Sequence, residues 1–397
     1  GSTMSKYDGE IFDADNHYYE SPDAFTRHVP KKMQSRCVEW IEKDNGRRYQ
    51  LVGGRINRAL GNPTFNPISK PGVLQESFKG NPRNVSSAEL IGGSLEPMPP
   101  EYMDRDARVA RVEEQGIAAA WLFPTAGVLY EEPLEHDIDA LCTTFSAFNR
   151  WLDEDWGLTY QDKLFSAPYI SLADVDWACE QLEWALDRDA RILVMRPSAV
   201  YTRNGPRNPG HPDFDPFWAR VNEAGVTVVT HIGATKHSSN GYDERSADVL
   251  GLGQRPTIAN FHRTRNINDF LASMIFDKLF ERFPNLRIAS VENGGEFLGD
   301  LIRVLGKTRE RVGGYFRDDP VETFRNHVWI NPFWEDDIPL VIEQMGADRV
   351  ILGSDWPHME GLAQPRDLVK GLDDIAEADV PKILFDNTAS LNQRQPA

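Results

Sequence analysis

The densest group of chemically reactive side chains lies near the start of the chain, in the sequence FDADNHYYE at positions 12–20. It contains Asp13, Asp15, His17 and Glu20, directly after an apolar segment. Carboxylates and imidazoles are ligands of divalent metal ions in proteins. Asp15 and His17 are two residues apart, so both side chains point to the same face if this segment is an extended strand. The pair therefore predicts two ligands for one ion, whereas we expect a structural role for Asp13 and leave the role of Glu20 open.

Three more segments place reactive side chains at the end of an apolar run. VTVVTHIG reaches His231, IASVENGG reaches Glu292, and VILGSDWPHMEG contains Asp355 and His358. Taken alone, such a histidine is more often a core side chain bonded to a carbonyl, and such an aspartate is often a turn or cap residue. Four reactive strand ends in one chain are much harder to obtain by chance. The combination favours one metal centre built from all of these segments.

The reactive residues occupy equivalent places in a repeating pattern of strands and helices. Apolar segments of strand type alternate with stretches whose apolar residues are three and four apart, as in helices that pack on a sheet. The strand-like segments are residues 11–15, 117–123, 164–170, 191–195, 226–231, 286–291, 328–330 and 350–353. These eight units favour a (β/α)8 TIM barrel, an α/β fold, over a doubly wound open sheet. Active sites of such barrels form at the C-terminal ends of the strands, where the reactive residues lie.

Two long segments interrupt this alternation. The first spans residues 27–100 after strand one, and its Pro-, Gly- and Asn-rich middle predicts an irregular insertion that caps the barrel mouth. The second is a long loop after strand five, residues 232–266. A surface excursion without function is the alternative for both. We predict a single barrel domain over residues 4–397, because the three residues before Met4 resemble an expression remnant.

The composition disfavours several classes of function. The chain has 397 residues, of which 40% are hydrophobic, and a formal net charge of −18, which disfavours nucleic acids and anionic membrane surfaces as partners. No apolar run approaches the roughly 20 residues of a membrane-spanning helix, and the first residues lack a signal-peptide pattern. The three cysteines are widely spaced and predict no disulfide framework. We therefore expect a cytoplasmic protein that acts on a small molecule.

The reactive segments and their order resemble the amidohydrolase superfamily, and more narrowly its amidohydrolase-2 branch. The resemblance is carried by FDADNHYYE, THIG, ENGG, GSDWPHMEG and the terminal KILFDNTASL. The branch contains aminocarboxymuconate-semialdehyde decarboxylase, resorcylate-type decarboxylases and several C–C, lactone and ester hydrolases. It implies a TIM barrel with one or two metal ions at its mouth, and a homodimer.

The resemblance assigns roles to individual residues. His17 matches the second histidine of the family's His-x-His motif on strand one, and Asp15 takes the place of the first. His231 matches the strand-five histidine. Asp355 matches the strand-eight aspartate, which in the family ligates metal and often handles a proton. Glu292 stands where the family often has a histidine on strand six, and we expect it to be a ligand.

The departures from the family pattern bear on the metal. The fourth strand, RILVMRP, has no lysine at its end, so the carbamylated lysine of the two-zinc branch is absent. A ligand set rich in carboxylates favours manganese, iron or magnesium, although zinc also accepts His and Asp. We expect a divalent ion, with iron, manganese and zinc as candidates. A single ion is favoured over a pair bridged by a carboxylate.

The predicted reaction is hydrolysis of an ester, thioester, lactone, amide or C–C bond in a small, apolar or ring-bearing carboxylate. A metal-activated water would attack, Asp355 would act as general base, and His358 would act as an acid or stabilise an oxyanion. Arg196 would either clamp a substrate carboxylate or form a salt bridge at the rim of the barrel. The other predicted substrate-binding residues are Tyr19, Asn331, Trp334 and Trp356. Non-oxidative decarboxylation of an aromatic or enol acid is the second prediction, and a barrel that only binds a small molecule is the third.

Overall fold

The computed structural model describes residues 7–235 and 264–397, together with Ile258. Its strands are β1 (Phe12–His17), β2 (Val38–Glu42), β3 (Arg48–Val52), β4 (Arg55–Ile56), β5 (Ile68–Ser69), β6 (Leu95–Glu96), β7 (Ala119–Phe123), β8 (Leu164–Ser166), β9 (Ile192–Met195), β10 (Val200–Thr202), β11 (Gly205–Arg207), β12 (Thr227–His231), β13 (Ile288–Val291) and β14 (Val328–Ile330).

The α-helices of the described residues are α1 (Gln75–Phe78), α2 (Ser87–Gly92), α3 (Arg105–Glu114), α4 (Glu131–Leu134), α5 (Ile138–Asp155), α6 (Val175–Leu186), α7 (Asp215–Ala224), α8 (Arg265–Phe276), α9 (Leu279–Arg282), α10 (Leu298–Arg311), α11 (Pro320–His327), α12 (Ile338–Met345) and α13 (Asn387–Leu391). Short 3-10 segments are Lys31–Arg36, Pro100–Tyr102, Gly127–Leu129, Pro212–Phe214, Ala347–Arg349, Pro365–Leu372 and Glu377–Asp379, and Lys382–Asp386 forms a π-helical turn.

Seven of these strands and one further extended segment form a closed barrel. Parallel ladders join β1, β7 and β8 in one set and β9, β12, β13 and β14 in another. Isolated parallel bridges complete the ring, and they pair Tyr169 with Val194, Ile330 with Val350, and Asn16 with Trp356. The structure is therefore a TIM barrel, as the alternation of strand and helix patterns predicts.

The eighth barrel segment does not form the regular strand predicted at residues 350–353. It is fixed to β1 by single hydrogen bonds, such as the one that Ala14 N donates to Leu352 O (3.0 Å). The two segments approach closely at Gly353, where a Cβ atom would lie 2.3 Å from the Cβ of Asp15. Only glycine allows this approach, which brings Asp15 next to the residues that follow the eighth segment.

The helices cover the outside of the barrel and bury one side each. In α5 the buried positions recur at spacings of three and four, including Leu141, Phe145, Phe148 and Leu152. Aspartates begin several helices, because Asp104, Asp137 and Asp174 each accept a hydrogen bond from a backbone N–H in the first turn of α3, α5 and α6. Within the described ranges, no helix is long and apolar enough to cross a membrane.

Residues 27–100 form short elements between β1 and β7. β2, β3 and β4 make an antiparallel sheet, and β5 pairs with β6. Gly72 N donates to His358 O (3.2 Å) and Leu74 N donates to Met359 O (3.0 Å), so this part of the segment lies beside the barrel mouth. The long loop predicted at residues 232–266 lies mostly outside the described residues.

Asp13 joins β1 to the eighth segment. Its carboxylate is fully buried and accepts hydrogen bonds from Ser354 N (2.9 Å), Ser354 Oγ, Asn16 Nδ2 (3.0 Å) and Asp15 N (3.1 Å). Burial raises the pKa of Asp13 to about 6, although these donors oppose the shift. These contacts indicate that Asp13 has a structural role, which is to hold β1 and the eighth segment together.

We expect Asp13→Asn to lower the free energy of unfolding by about 2–4 kcal/mol, because every partner of the carboxylate donates and the new amide group would face a donor. Chemical denaturation measures the change. Ser354→Ala removes only the hydroxyl bonds and serves as the milder control, with an expected loss of about 1 kcal/mol. An Asp13→Asn protein as stable as the parent would contradict the structural role.

Candidate metal centre

Side chains from four strand ends meet at the mouth of the barrel. These residues, called the mouth cluster below, are Asp15 and His17 of β1, His231 of β12, Glu292 after β13, and Asp355 and His358 after the eighth segment. They form two overlapping groups of four, in each of which the donor atoms lie within 4.8 Å of one another. His17 and Glu292 belong to both groups, so the six residues make one site.

The distances between donor atoms match the edges of a metal coordination shell. His17 Nε2 lies 3.1 Å from Asp15 Oδ1 and 2.9 Å from Asp355 Oδ1. His231 Nε2 lies 3.4 Å from Asp15 Oδ1 and 3.1 Å from Glu292 Oε2. Ligands about 2.1 Å from an ion stand about 3.0 Å apart in an octahedron and about 3.4 Å apart in a tetrahedron. The spacing therefore fits donors arranged around a common ion.

Several cluster atoms lie close together without the alignment of hydrogen bonds. In the described part of the chain, His17 Nε2, Asp355 Oδ1 and His358 Nδ1 are buried and have no hydrogen-bond partner. Yet Asp355 Oδ1 is only 2.9 Å from His17 Nε2 and 3.1 Å from His358 Nδ1. Unpaired buried polar atoms are costly. A cation between these atoms would satisfy them, so the residues fit a metal ion.

The histidines on β1 and β12 present the same ring nitrogen to the cluster. His17 Nδ1 lies 3.1 Å from Phe123 O and 3.2 Å from Pro124 O, and His231 Nδ1 lies 2.8 Å from Ile232 O. A carbonyl only accepts, so Nδ1 carries the hydrogen and the Nε2 lone pair faces the cluster. Imidazoles that bind metals are oriented in this way.

The cluster concentrates negative charge. Burial raises the pKa of Glu292 and of Asp355 well above the usual range, and repulsion from the other carboxylates adds to it. Burial alone would also raise the pKa of Asp15, but His17 and His231 lower it below its usual range. A bound cation would relieve the repulsion.

The backbone is strained at the two carboxylates that follow the sixth and eighth barrel segments. Glu292 has φ 58° and Asp355 has φ 59°, in the left-handed region that favours glycine. Such strain collects at functional sites. Asn331 holds this conformation of Glu292, because its Oδ1 accepts from Glu292 N (3.1 Å) while its Nδ2 donates to Pro332 O (3.2 Å) and Ile351 O (3.3 Å). Asn331 was predicted to bind substrate, but the structure uses its side chain to position Glu292.

Arg196 lies near the mouth but is occupied by the protein itself. Its guanidinium contacts Glu131 (3.4 Å) and Glu135 and donates to Ala234 O (3.1 Å), and only 4% of the residue is exposed. These partners balance its charge. The structure therefore does not support the predicted role of Arg196 as a clamp for a substrate carboxylate.

Of the three aromatic residues predicted to contact substrate, Trp356 packs against other protein side chains, whereas Tyr19 lies beside the mouth cluster. Trp356 is buried, and it packs edge-on against Tyr102 and 4.8 Å from the guanidinium of Arg108, so its predicted contact with substrate is not supported. The Tyr19 ring, in contrast, lies 5.7 Å from the ring of His358. Trp334 lies 6.4 Å from Phe78 of the 27–100 segment.

Two residues that support the cluster were not predicted from the sequence, the buried Arg108 and the partly buried Thr125. Arg108 donates to Asn16 Oδ1 (2.7 Å) and His17 O (2.6 Å), and thereby fixes the end of β1. Thr125, two residues after β7, contacts His358. Both residues are about a hundred positions or more from their partners, and no local pattern marks such contacts.

The chain is similar in sequence and in structure to known proteins. Residues 129–391 match the family model described as Amidohydrolase. The crystal structure of an amidohydrolase from Mycobacterium avium subsp. paratuberculosis K-10 is 41% identical, covers 97% of this chain and 98% of its own, and superposes with a TM-score of 0.90.

Two decarboxylases are more distant. The crystal structure of a dihydroxybenzoic acid decarboxylase from Polaromonas sp. JS666, with bound manganese and the inhibitor 2-nitroresorcinol, has the same fold with 18% identity, coverage of 81% of this chain and 93% of that chain, and a TM-score of 0.57. A 2-amino-3-carboxymuconate-6-semialdehyde decarboxylase from Dictyostelium discoideum is 26% identical over 124 residues, which are 30% of this chain. The matched part spans only 34% of that curated relative.

Proposed function

Because the chain belongs to the amidohydrolase family, we propose that it is a metal-dependent enzyme whose divalent ion is held by every member of the mouth cluster except His358. The proposal rests on one observation: His17 Nε2 and Asp355 Oδ1, which come from different barrel segments, are buried 2.9 Å apart, and neither has a hydrogen-bond partner among the described residues. We propose a single ion, because the two overlapping donor groups share His17 and Glu292. The carboxylate-rich set favours manganese or iron, with zinc next, and the manganese in the Polaromonas decarboxylase supports this order.

We propose non-oxidative decarboxylation of a small aromatic or enol carboxylic acid as the reaction. The curated relative and the Polaromonas enzyme, both decarboxylases, support this choice. Hydrolysis is the first prediction from the sequence, and the two related decarboxylases favour the second prediction instead. The same donor atoms serve either reaction, so the ranking rests on the relatives.

The positions of the cluster residues suggest which of them would bind the ion and which would transfer a proton. When bound, a divalent ion anchors substrate oxygen atoms and stabilises the negative charge that develops as carbon dioxide leaves. Departure of carbon dioxide leaves an electron pair on carbon, and a positioned acid must supply a proton there. We propose that Asp355 and His358 carry out this transfer, and the 3.1 Å between Asp355 Oδ1 and His358 Nδ1 supports the assignment.

We propose that residues 27–100 cap the site and supply part of an aromatic wall. Their contact with the His358–Met359 backbone places them at the mouth. The ring of Phe65 lies 4.9 Å from that of Tyr19, which in turn faces His358. Aromatic walls of this kind suit a flat, ring-bearing substrate. A single domain over residues 4–397 and a homodimer remain predictions.

A substrate screen in ¹⁸O-labelled water tests the reaction. We expect manganese-loaded protein to release carbon dioxide from an aromatic or enol acid without incorporating ¹⁸O into the organic product. Hydrolysis is the second candidate, because the structurally similar Mycobacterium protein is described as an amidohydrolase. Incorporation of ¹⁸O without release of carbon dioxide would reject decarboxylation in favour of hydrolysis.

A further inference from the structure

Thr125 contacts the one mouth-cluster histidine that lies outside the strands. Its Oγ1 lies 2.9 Å from His358 Nε2 and 2.7 Å from Tyr18 O. A carbonyl oxygen has no hydrogen to give, so the Thr125 hydroxyl hydrogen lies on the line to Tyr18 O. The oxygen of Thr125 is then left as an acceptor towards His358, and His358 Nε2 must carry a hydrogen.

Thr125 is itself held in place by Glu20, whose role the sequence left open. The buried Glu20 carboxylate accepts from Thr125 N (3.1 Å), Ala126 N (2.8 Å to Oε2) and Gly127 N (2.7 Å). Three successive backbone amides directed at one carboxylate fix the path of the chain after β7. The hydroxyl of Thr125 is therefore presented to His358 from a rigid support.

The other nitrogen of the His358 ring faces the reactive part of the cluster. His358 Nδ1 lies 3.1 Å from Asp355 Oδ1 and 3.3 Å from Glu360 Oε1. The ring is also stacked on the ring of His17, with centroids 3.9 Å apart and planes at 20°. Stacking fixes the plane of the imidazole, and Thr125 fixes which edge carries the hydrogen.

We propose that Thr125, held by Glu20, is a positioning residue that fixes the neutral His358 ring as its Nε2–H tautomer. Nδ1 is then the ring atom available to a cation or a proton in the mouth cluster. This inference holds for either reaction, and it rests on the proposed function only in that the mouth cluster binds a metal ion. The reverse tautomer would require the Thr125 hydrogen to turn away from Tyr18 O.

The first test reads the tautomer directly. Metal-free protein labelled with ¹⁵N-histidine is studied by NMR at mildly alkaline pH, and the His358→Asn variant identifies the His358 signals by their loss. We expect hydrogen on Nε2, and we expect Zn²⁺ addition to shift the Nδ1 signal while Nε2 keeps its hydrogen. If the neutral His358 ring of the parent protein carries its hydrogen on Nδ1, the inference is wrong. This result would need no variant at Thr125.

The second test compares hydroxyl variants by the same spectra and by the dissociation constant for Zn²⁺. Thr125→Val should lose the single tautomer. It should also weaken Zn²⁺ binding by about 10-fold, because His358 Nδ1 lies 3.1 Å from the proposed ligand Asp355 and acts on the ion through it. Thr125→Ser should behave like the parent. Thr227→Val is the matched control, because Thr227 Oγ1 also donates to a buried carbonyl, Leu391 O (2.6 Å), but at the start of β12. It should leave both readouts unchanged.

Two results would overturn the positioning role. One is a Thr125→Val protein with the parent's tautomer and Zn²⁺ affinity. The other is a Thr227→Val protein that loses as much Zn²⁺ affinity as Thr125→Val, which would indicate a general effect of buried hydroxyl loss. Both readouts are independent of turnover, so failure of the proposed reaction would not be mistaken for failure of this inference.

Discussion

Asp355→Asn is expected to lower kcat by about 10²–10⁴-fold, the range that a positioned acid or base contributes. The substitution keeps the size of the side chain but removes the charge from an oxygen that stands 2.9 Å from His17 Nε2 and 3.1 Å from His358 Nδ1. An amide at this position binds a cation more weakly and cannot act as an acid or a base near neutral pH. Steady-state kinetics and metal analysis of the purified variant measure both effects.

A matched control separates this loss from a general effect of removing a carboxylate. Asp348→Asn removes an exposed carboxylate that pairs with Lys382 (3.2 Å) away from the mouth, and it should retain the parent's turnover and metal content. An Asp355→Asn protein that keeps near-parent turnover would contradict the role of Asp355 in proton transfer. If it also kept its full metal content, Asp355 would not be a ligand.

We expect removal of the metal ion to have a large effect on both turnover and stability. Chelation should abolish turnover and lower the free energy of unfolding by about 4 kcal/mol relative to protein held at a free ion concentration ~1,000 times the dissociation constant. The cause is the repulsion among Asp15, Glu292 and Asp355, which burial intensifies and a cation relieves. Denaturant titration with and without a chelator, followed by return of Mn²⁺, measures the change.

His231→Ala provides the comparison for this experiment. His231 Nε2 lies 3.1 Å from Glu292 Oε2, so the substitution removes one donor from the shell and leaves the carboxylates in place. The variant should show little stabilisation by Mn²⁺. Parent protein whose unfolding is insensitive to Mn²⁺, Fe²⁺ and Zn²⁺ would contradict a metal centre in the mouth cluster.

The barrel was predictable because its strands are short apolar runs separated by helices with a different period. β12 and β13 lie within the predicted segments, and β14 coincides with residues 328–330. β1 runs on to His17, beyond the predicted end at residue 15, because its polar residues pair with β7. The eighth segment has strand-like composition, but its close approach to β1 at Gly353 replaces a ladder with isolated bridges.

The position of a residue along the barrel was easier to predict than the direction of its side chain. The expected metal ligands meet at the mouth because strand ends bring them there. Trp356 follows Asp355 directly, yet its side chain packs on Tyr102 and Arg108. The direction of the Trp356 side chain depends on the turn after the eighth segment and on Arg108, which is far away in sequence. Neither can be recognised from the residues around Trp356.

Polar residues that hold the site were the least predictable part. Thr125 and His358 are 233 positions apart, and Glu20 and Thr125 are 105 apart. Glu20 and His358 could be recognised as reactive residues from the sequence, but Thr125, which connects them, could not. Only the folded chain shows that the carboxylate, the hydroxyl and the imidazole form one connected support.

Anomalous-scattering crystallography of protein prepared with Mn²⁺ is the most direct test of the proposed metal centre. We predict one anomalous peak within about 2.0–2.4 Å of donor atoms from Asp15, His17, His231 and Asp355, with Glu292 also in contact. A peak bound by other residues, or ordered water at this position and no peak, would contradict the claim that the mouth cluster is the metal centre.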